Sequence, residues 1–300
     1  MMVLPTCNAN GERDHWLDEA RKRNWLPAVV TVLAVSVSLA VRPYAATAQY
    51  HPTIGQDGKD VIWGPTPEVL VEAMLDMARV SPGDYLIDLG SGDGRIVIAA
   101  AKRGARALGI EYNPDLVKFS RARAQKEGVS DRVDFIQADI FEADFSRATV
   151  LTMYLLTHLN LRLRPKILKM QPGTRVVSHG SAMDDWEPDQ SVRAAGRTAY
   201  FWTVPANVAG NWGWQSGSGR AELSLYQSFQ KVKGSLVIGG KKQPRIDAKL
   251  EGDRLSFTGG KGRSGRWEYS GRLNGNAIEG VARNSQGAEV RWVAERLADQ

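Results

Sequence analysis

Cysteine is almost absent from this 300-residue chain. Cys7 is the only one, which excludes structural disulfides and argues against thiol chemistry and cysteine-based zinc sites. Histidine is scarce as well. His15, His51, His158 and His179 show no metal-ligand spacing, so no metal is expected. No interleaving of aromatic and basic residues matches a nucleic-acid fold, and no nucleic-acid partner is expected. The surplus of +6 is unevenly spread: residues 205–300 hold 15 Lys+Arg against 9 Asp+Glu, while the remainder balances at 24 against 24. That excess describes a generally basic surface, suited to an acidic partner. With 43% hydrophobic and 24% charged residues, the chain is globular rather than disordered, and its length allows two domains.

One stretch is dense with chemistry. In "YLIDLGSGDGRIVIAAA", Tyr85 to Ala101, a short apolar run reads as a buried parallel strand and the run from Ile96 as a helix start. The glycines between them form a strand-to-helix turn, where missing side chains let a ligand approach backbone N–H groups. A dinucleotide site requires G-x-G-x-x-G. Here Gly90, Gly92 and Gly94 are spaced two and two, with Ser91 among them and Arg95 in the place of the third glycine. Asp88 stands two residues ahead, placed to meet the positive end of an amino-acid-bearing ligand and to repel a pyrophosphate.

The following segments repeat the alternation. "ARALGIEYNPDLV" is a second strand ending in Glu111, nineteen residues past Gly92. A carboxylate there is placed to accept both hydroxyls of a ribose. "RVDFIQADIFEADF" is a third strand ending at Ala138-Asp139, and "SRATVLTMYLL" and "GTRVVSHG" are a fourth and fifth, separated by a helical stretch around Leu159 to Met170. Strands alternating with helices imply right-handed crossovers in a doubly wound α/β sheet, with ligands at the carboxyl ends of its strands. Asp88 through Gly94, Glu111, Asp139, Tyr154 and His179 all fall near those ends.

The pattern D-x-G-x-G-x-G resembles motif I of the class I S-adenosylmethionine-dependent methyltransferases. Together with "VIWGPTPEVLVEAML", "GIEYNPDLVKFSR", "ATVLTMYLL", "PGTRVVSHG" and "DDWEPD", it resembles bacterial relatives of the lysine N-methyltransferases of the ATP synthase c subunit and the adenine nucleotide translocase, over roughly residues 60 to 188. Gly64 departs from the pattern, which leads us to expect a second aliphatic residue there. The resemblance implies a Rossmann-like methyltransferase fold and S-adenosylmethionine as cofactor, bound by Thr66, Asp88, Gly90, Ser91, Gly92, Gly94, Glu111 and Asp139. In it, Asp139 lies beside the adenine and Thr66 near the methionine end. Tyr154 and His179 are the candidate catalytic residues, lining a channel for a neutral lysine amine. The implied partner is a protein substrate offering a lysine side chain. The absence of an N-P-P-Y box argues against methylation of exocyclic nucleobase amines.

Both ends differ in character. Arg21, Lys22 and Arg23 precede an uncharged run from Asn24 to Val41 and an Ala46-Thr47-Ala48 site. This describes a secretory signal peptide cleaved after Ala48, with an uncleaved membrane anchor as its rival. Either reading places the protein in the cell envelope, exported or membrane-associated, while the cytoplasmic origin of the methyl donor keeps the cytoplasmic side open. From "NVAGNWGWQ" onward, short alternating runs separated by Gly-Gly, Asn-Gly and Gln-Gly pairs predict an antiparallel all-β domain, a lipocalin-like barrel or sandwich. Trp212, Trp214, Trp267 and Trp292 read as its core rather than as a ligand cavity. The expected organisation is residues 1–48 as signal or anchor, 49–204 as methyltransferase and 205–300 as β domain. Two alternatives to protein-lysine methylation stand beside it: a small-molecule N- or O-methyltransferase, and a non-catalytic envelope binding protein working through its β domain.

Overall fold

The computed structural model describes residues 50–217, 219–243, 246–260 and 266–298. The signal-or-anchor segment lies outside these residues. Among the described residues no helix is long and apolar enough to cross a membrane. The described residues form one compact unit, built on two sheets.

The first sheet is the doubly wound one. Its elements are α1 (Glu68–Met77), β1 (Tyr85–Leu89), α2 (Arg95–Lys102), β2 (Arg106–Glu111), α3 (Pro114–Lys126), β3 (Val133–Gln137), β4 (Val150–Met153), α4 (Thr157–Ile167), β5 (Arg175–His179), β6 (Gln190–Ala194) and β7 (Arg197–Thr203). The strand order is β3-β2-β1-β4-β5-β7-β6, parallel from β3 to β5 with β7 antiparallel to both its neighbours. The order reverses between β1 and β4, which opens a crevice at the carboxyl ends of those strands.

Strand periodicity explains how the sheet is covered. Along β1, Leu86 packs into the cluster formed with α1, α2 and α3, whereas Ile87 and Leu89 enter the opposite cluster with α4. Each such buried aliphatic side chain contributes roughly 1.5–3 kcal/mol relative to exposure. Helix α3 starts where it does because the Asn113 side chain accepts a hydrogen bond from Asp115 N at 2.9 Å and Pro114 supplies a preset φ. The stretch expected to be helical to Met170 ends instead at Ile167, and Leu168 to Met170 continue it as tighter turns, with Lys169 N donating to Lys166 O and Met170 N to Ile167 O.

The hairpin β6–β7 was not expected from the sequence. Its edge strand exposes Gln190, Ser191 and Arg193 and turns only Val192 and Ala194 toward the core, an alternation two residues deep. The two-residue turn Ala195-Gly196 has positive φ at both positions, +50° and +71°, the twist that matches a tight hairpin.

The second sheet comprises β8 (Gly210–Ser216), β9 (Gly219–Ser228), β10 (Lys231–Ile238), the two-residue β11 (Lys241–Lys242), β12 (Ile246–Glu251), β13 (Arg254–Gly259), β14 (Trp267–Asn274), β15 (Ala277–Asn284) and β16 (Glu289–Arg296). Every pairing is antiparallel. The β16–β8 and β9–β10 pairings close eight of these strands into an up-and-down barrel, with β11 attached to β10. Of the sandwich and barrel alternatives, the closed barrel is the one formed. Its interior is filled by rings: Phe257 stacks on Tyr269 at 4.7 Å, and Trp214 lies 5.3 Å from Trp292. Trp212 and Trp292 are buried and Trp267 partly so.

Gly94 joins β1 to α2 with φ +77°, and a Cβ there would lie 2.8 Å from the Phe135 ring and 2.9 Å from the Ser120 Cβ. Gly94→Ala therefore combines left-handed strain with overpacking, and we expect a loss of about 2–4 kcal/mol. Urea unfolding of the ligand-free protein measures it, and an unchanged midpoint would contradict this account.

Candidate active site

The crevice is a cavity of ≈ 660 Å³ walled by the strand ends and by the segment from Ile54 to Thr66. Six acids line it: Asp57 and Asp60 from the overlying segment, Asp93 from the glycine turn, and Asp88, Glu111 and Asp139 at or just past the ends of β1, β2 and β3. Asp88, at the end of β1, is 2% exposed, and its Oδ1 accepts a hydrogen bond from Thr152 Oγ1 at 2.7 Å. Burial pushes its carboxyl up to about 7, and the nearby acids Glu111 and Asp93 add to the effect despite the Thr152 hydrogen bond. Glu111 ends β2; its two oxygens accept from Gly92 N and from Asn113 N, each at 2.9 Å. Asp139 lies just past β3. Its Oδ1 accepts from Phe141 N at 2.9 Å, and its other oxygen pairs with Lys59. That pairing, first among several causes, holds Asp139 below the usual carboxylate range.

The glycine turn lies between these acids. Gly90 N and Ser91 N donate to Ile110 O at 2.9 and 3.1 Å, binding the turn to β2. At Gly92 (φ +54°) a Cβ would stand 2.5 Å from Trp63 Nε1, so no side chain fits between the turn and the overlying segment. Ser91 Oγ is buried without a partner among the described residues. Thr66, Asp88, Gly90, Ser91, Gly92, Glu111 and Asp139 all line the cavity; Gly94 does not, and acts instead as the cap of α2. A ligand with an ammonium and a sulfonium charge, a vicinal diol and an aminopurine suits this lining. Its cations offset the crowded carboxylates, and its hydroxyls and amine match Glu111 and Asp139. S-adenosylmethionine meets each requirement.

On the β4-β5 side the lining changes. Tyr154, Leu155, Leu156, Leu159, Ser181 and Arg197 supply it, with no carboxylate among them. Tyr154 faces the cavity, but His179 is corrected from the sequence expectation: it is 1% exposed and stands behind Tyr154, the rings stacked at 3.7 Å. Its Nδ1 shares a 3.0 Å hydrogen bond with Thr66 Oγ1, while Nε2 is buried without a partner among the described residues. Burial, with a smaller contribution from the Arg197 charge, lowers its pKa to about 4. A neutral imidazole is therefore a fixed platform under Tyr154 at physiological pH.

Several site residues were missed in the sequence. Arg95 was noticed only as the wrong residue for a dinucleotide site. Its guanidinium grips Asp93 at 2.6 and 2.9 Å and donates to Thr66 O at 2.8 Å, and Arg123 holds the same Asp93 at 2.9 Å. The glycine turn is thereby tied to the Pro65-Thr66-Pro67 box. Lys59 and Arg197 carried no sequence signal, and Trp63, though inside the quoted Pro-Thr-Pro stretch, gave no sign of its place over Gly92, because each reaches the cavity through tertiary placement.

The raised pKa of Asp88 makes a signed prediction. In the unfolded chain the carboxyl ionises near 3.8; in the ligand-free fold it holds its proton to about 7. Its contribution to stability is thus present at acid pH and lost as pH rises through that window. Asp88→Asn should raise the stability of the ligand-free protein at pH 8, on the order of 1–3 kcal/mol, and change it little near pH 4. The same variant should bind S-adenosylmethionine at least about tenfold more weakly, the loss of a charge-assisted contact. Wild-type affinity should itself weaken below pH 7. Thermal unfolding and calorimetric titration across pH check both halves; a pH-independent stability difference would contradict the first.

Several known methyltransferases are similar to this chain. The model of the ANTKMT methyltransferase domain matches residues 88–190. The protein-lysine N-methyltransferase of Saccharolobus islandicus is 42% identical over 147 residues, 47% of this chain and 91% of that protein. The Homo sapiens lysine N-methyltransferase of the ATP synthase c subunit is 37% identical over 177 residues, 58% of this chain and 72% of that one. A crystal structure of an RNA methyltransferase from Salinibacter ruber with S-adenosyl-L-homocysteine shows 52% identity, with 48% of this chain and 96% of that chain covered, at a TM-score of 0.47. The chain belongs to the S-adenosylmethionine-dependent protein-lysine N-methyltransferases, a class I methyltransferase family.

Proposed function

We propose that this enzyme transfers a methyl group to the ε-amine of a lysine in a polypeptide. The observation that carries the reading is the electrostatic division of the cavity among the described residues: Asp88, Glu111 and Asp139 stand on the β1-β2-β3 side, where the cations Lys59 and Arg95 are paired with Asp139 and Asp93, while Arg197 is the cation among the apolar side chains of the β4-β5 side. S-adenosylmethionine, when bound, supplies an electrophilic methyl group on a sulfonium.

The chain's own residues then do two things. Asp88, Glu111 and Asp139 orient the donor by its ammonium, ribose and base, while Tyr154 and the leucines narrow the space for the acceptor. Near-attack placement of this kind supplies up to about 7–11 kcal/mol of a bimolecular barrier. The second task is to favour a neutral amine. A lysine ammonium entering the β4-β5 half leaves water, meets no carboxylate from that wall and feels Arg197, and all three lower its pKa. It would release its proton to solvent, leaving a neutral amine whose lone pair would bond to the donor's methyl carbon as the carbon–sulfur bond breaks and the neutral thioether leaves.

Four exposed apolar side chains, Ile54, Ile62, Tyr112 and Leu156, also belong to the cavity lining. An apolar rim suits residues flanking a lysine in a chain better than a free polar metabolite. The reading in which the barrel binds a ligand and no transfer occurs lacks support, since aromatic rings fill the barrel interior.

Purified protein with labelled S-adenosylmethionine, lysine peptides and pools of small amines and alcohols tests the proposal. Mass gain on peptide lysine alone is the expected result, and labelling confined to small molecules would overturn it. Arg197→Glu should move the acid limb of the kcat/KM profile to higher pH, lowering the rate at pH 7 about tenfold, the equivalent of one pKa unit. Donor affinity should hold. An unmoved limb would remove Arg197 from the account.

A further inference from the structure

The barrel comprises about a third of the chain, yet the match to the Saccharolobus islandicus enzyme takes 91% of that protein and 47% of this one. That relative has no segment left over that is long enough to form a barrel. What the barrel touches on the methyltransferase sheet therefore bears on what it does here.

Residues 180–189 leave the end of β5 and run to β6. The first two, Gly180 and Ser181, line the β4-β5 half of the cavity. The loop then folds back through a bridge between Met183 and Trp186, with Asp184 at φ +55°. Helix α4 holds its near side. Asn160 Nδ2 donates to Ser181 O at 3.2 Å, and one turn later Arg164 donates to Met183 O at 2.9 Å and pairs with Asp185.

The barrel holds its far side, through the two-residue turn between β9 and β10. Phe229 stacks on Trp186 with ring centroids 5.8 Å apart and planes at 16°. Gln230 Oε1 accepts from Trp186 Nε1 at 3.0 Å, and Gln230 Nε2 donates to Glu187 O at 2.8 Å and Asp189 Oδ1 at 2.9 Å. Lys231 pairs with Glu187 at 2.6 Å. Trp186 is 0% exposed, so the hydrogen-bond partner of its buried indole N–H comes from the barrel. Phe229 adopts φ +52°, a conformation costly for a non-glycine residue. Gln227 keeps the turn in that shape by donating to Phe229 O at 2.7 Å and Ala206 O at 2.8 Å. The Arg164 guanidinium lies 5.5 Å from the Phe229 ring, so α4, loop and barrel meet at one junction.

We propose that the barrel is a buttress for the acceptor wall, in which Phe229 and Gln230 are positioning residues that fix the 180–189 loop, and with it Gly180 and Ser181, for the incoming substrate chain. The acceptor part of this statement rests on the proposed lysine activity; the holding of the loop does not. No barrel residue named here belongs to the β1-β2-β3 half, so the donor site is independent of the contact.

The test uses the full chain with Phe229→Gly and Gln230→Ala. Glycine accepts the left-handed φ, so the first variant removes the ring without asking the turn to change. Three quantities are read: donor affinity by calorimetry, KM and kcat with a lysine peptide, and hydrogen exchange of the 180–189 amides. We expect donor affinity within about twofold of wild type, kcat/KM for the peptide down by about ten- to a hundredfold, and faster exchange confined to the loop. Phe229→Tyr should restore the rate. Unchanged exchange and unchanged peptide kinetics in folded variants would overturn the proposal. Equal losses of donor binding and turnover, tracking a fall in melting temperature, would also overturn it by showing a merely structural contact. If the wild-type enzyme methylates no lysine peptide, the proposed function fails by itself, and the exchange experiment still decides whether the barrel holds the loop.

Discussion

A carboxyl group buried in the middle of a sheet is the constraint around which this molecule is arranged. Asp88 sits between two hydrophobic layers at the point where the strand order reverses, with one hydroxyl, that of Thr152, for company. In the free protein its charge is opposed by burial and by neighbouring acids. A cationic ligand relieves both. Stability given up in the ligand-free fold is thus recovered on binding, and the three left-handed glycines that follow Asp88 keep side chains from intruding on that exchange.

The other charges are disposed to protect this arrangement. Glu111 faces the backbone N–H of Gly92, and Asp139 faces Lys59, so each acid has a partner that a ligand can share or displace. Arg95 and Arg123 converge on Asp93 and tie the turn to the carbonyl of Thr66. Across the switch point, among the described residues, the only cation contributed to the cavity by the β5–β7 ladder is Arg197, beside leucines and Tyr154. One crevice therefore presents a field that attracts the ammonium and sulfonium of the donor on one side and disfavours an ammonium on the other, which is what amine methylation requires.

Attachment of a closed barrel to such a sheet leaves few free edges. The eight strands satisfy one another, and Gly271, where a Cβ would lie 3.0 Å from the Trp292 ring, gives that ring its place against the wall. With its interior filled, the barrel's available chemistry is on its outside and at its turns. The turn at Phe229 and Gln230 is the one that reaches the loop beside the cavity.

Local features were legible in the sequence, because each is a matter of period or spacing along a few residues. The strand, glycine turn and helix around Asp88, the carboxylates at Glu111 and Asp139, and the alternating runs that became the barrel strands all belong to this kind. The β6–β7 hairpin was not legible, since the inward side of its edge strand carries only Val192 and Ala194, too short an alternation to stand out. Nor was the placement of His179 behind Tyr154, the grip of Arg95 on Asp93 and Thr66, the entry of Arg197 into the cavity, or the stacking of Phe229 on Trp186. These join residues that lie far apart along the chain or whose direction depends on a neighbour's burial. Period and spacing state which side of an element is apolar; which partner covers that side, and which polar group is left to face a ligand, is decided only when the layers close and every buried donor and acceptor must find its match.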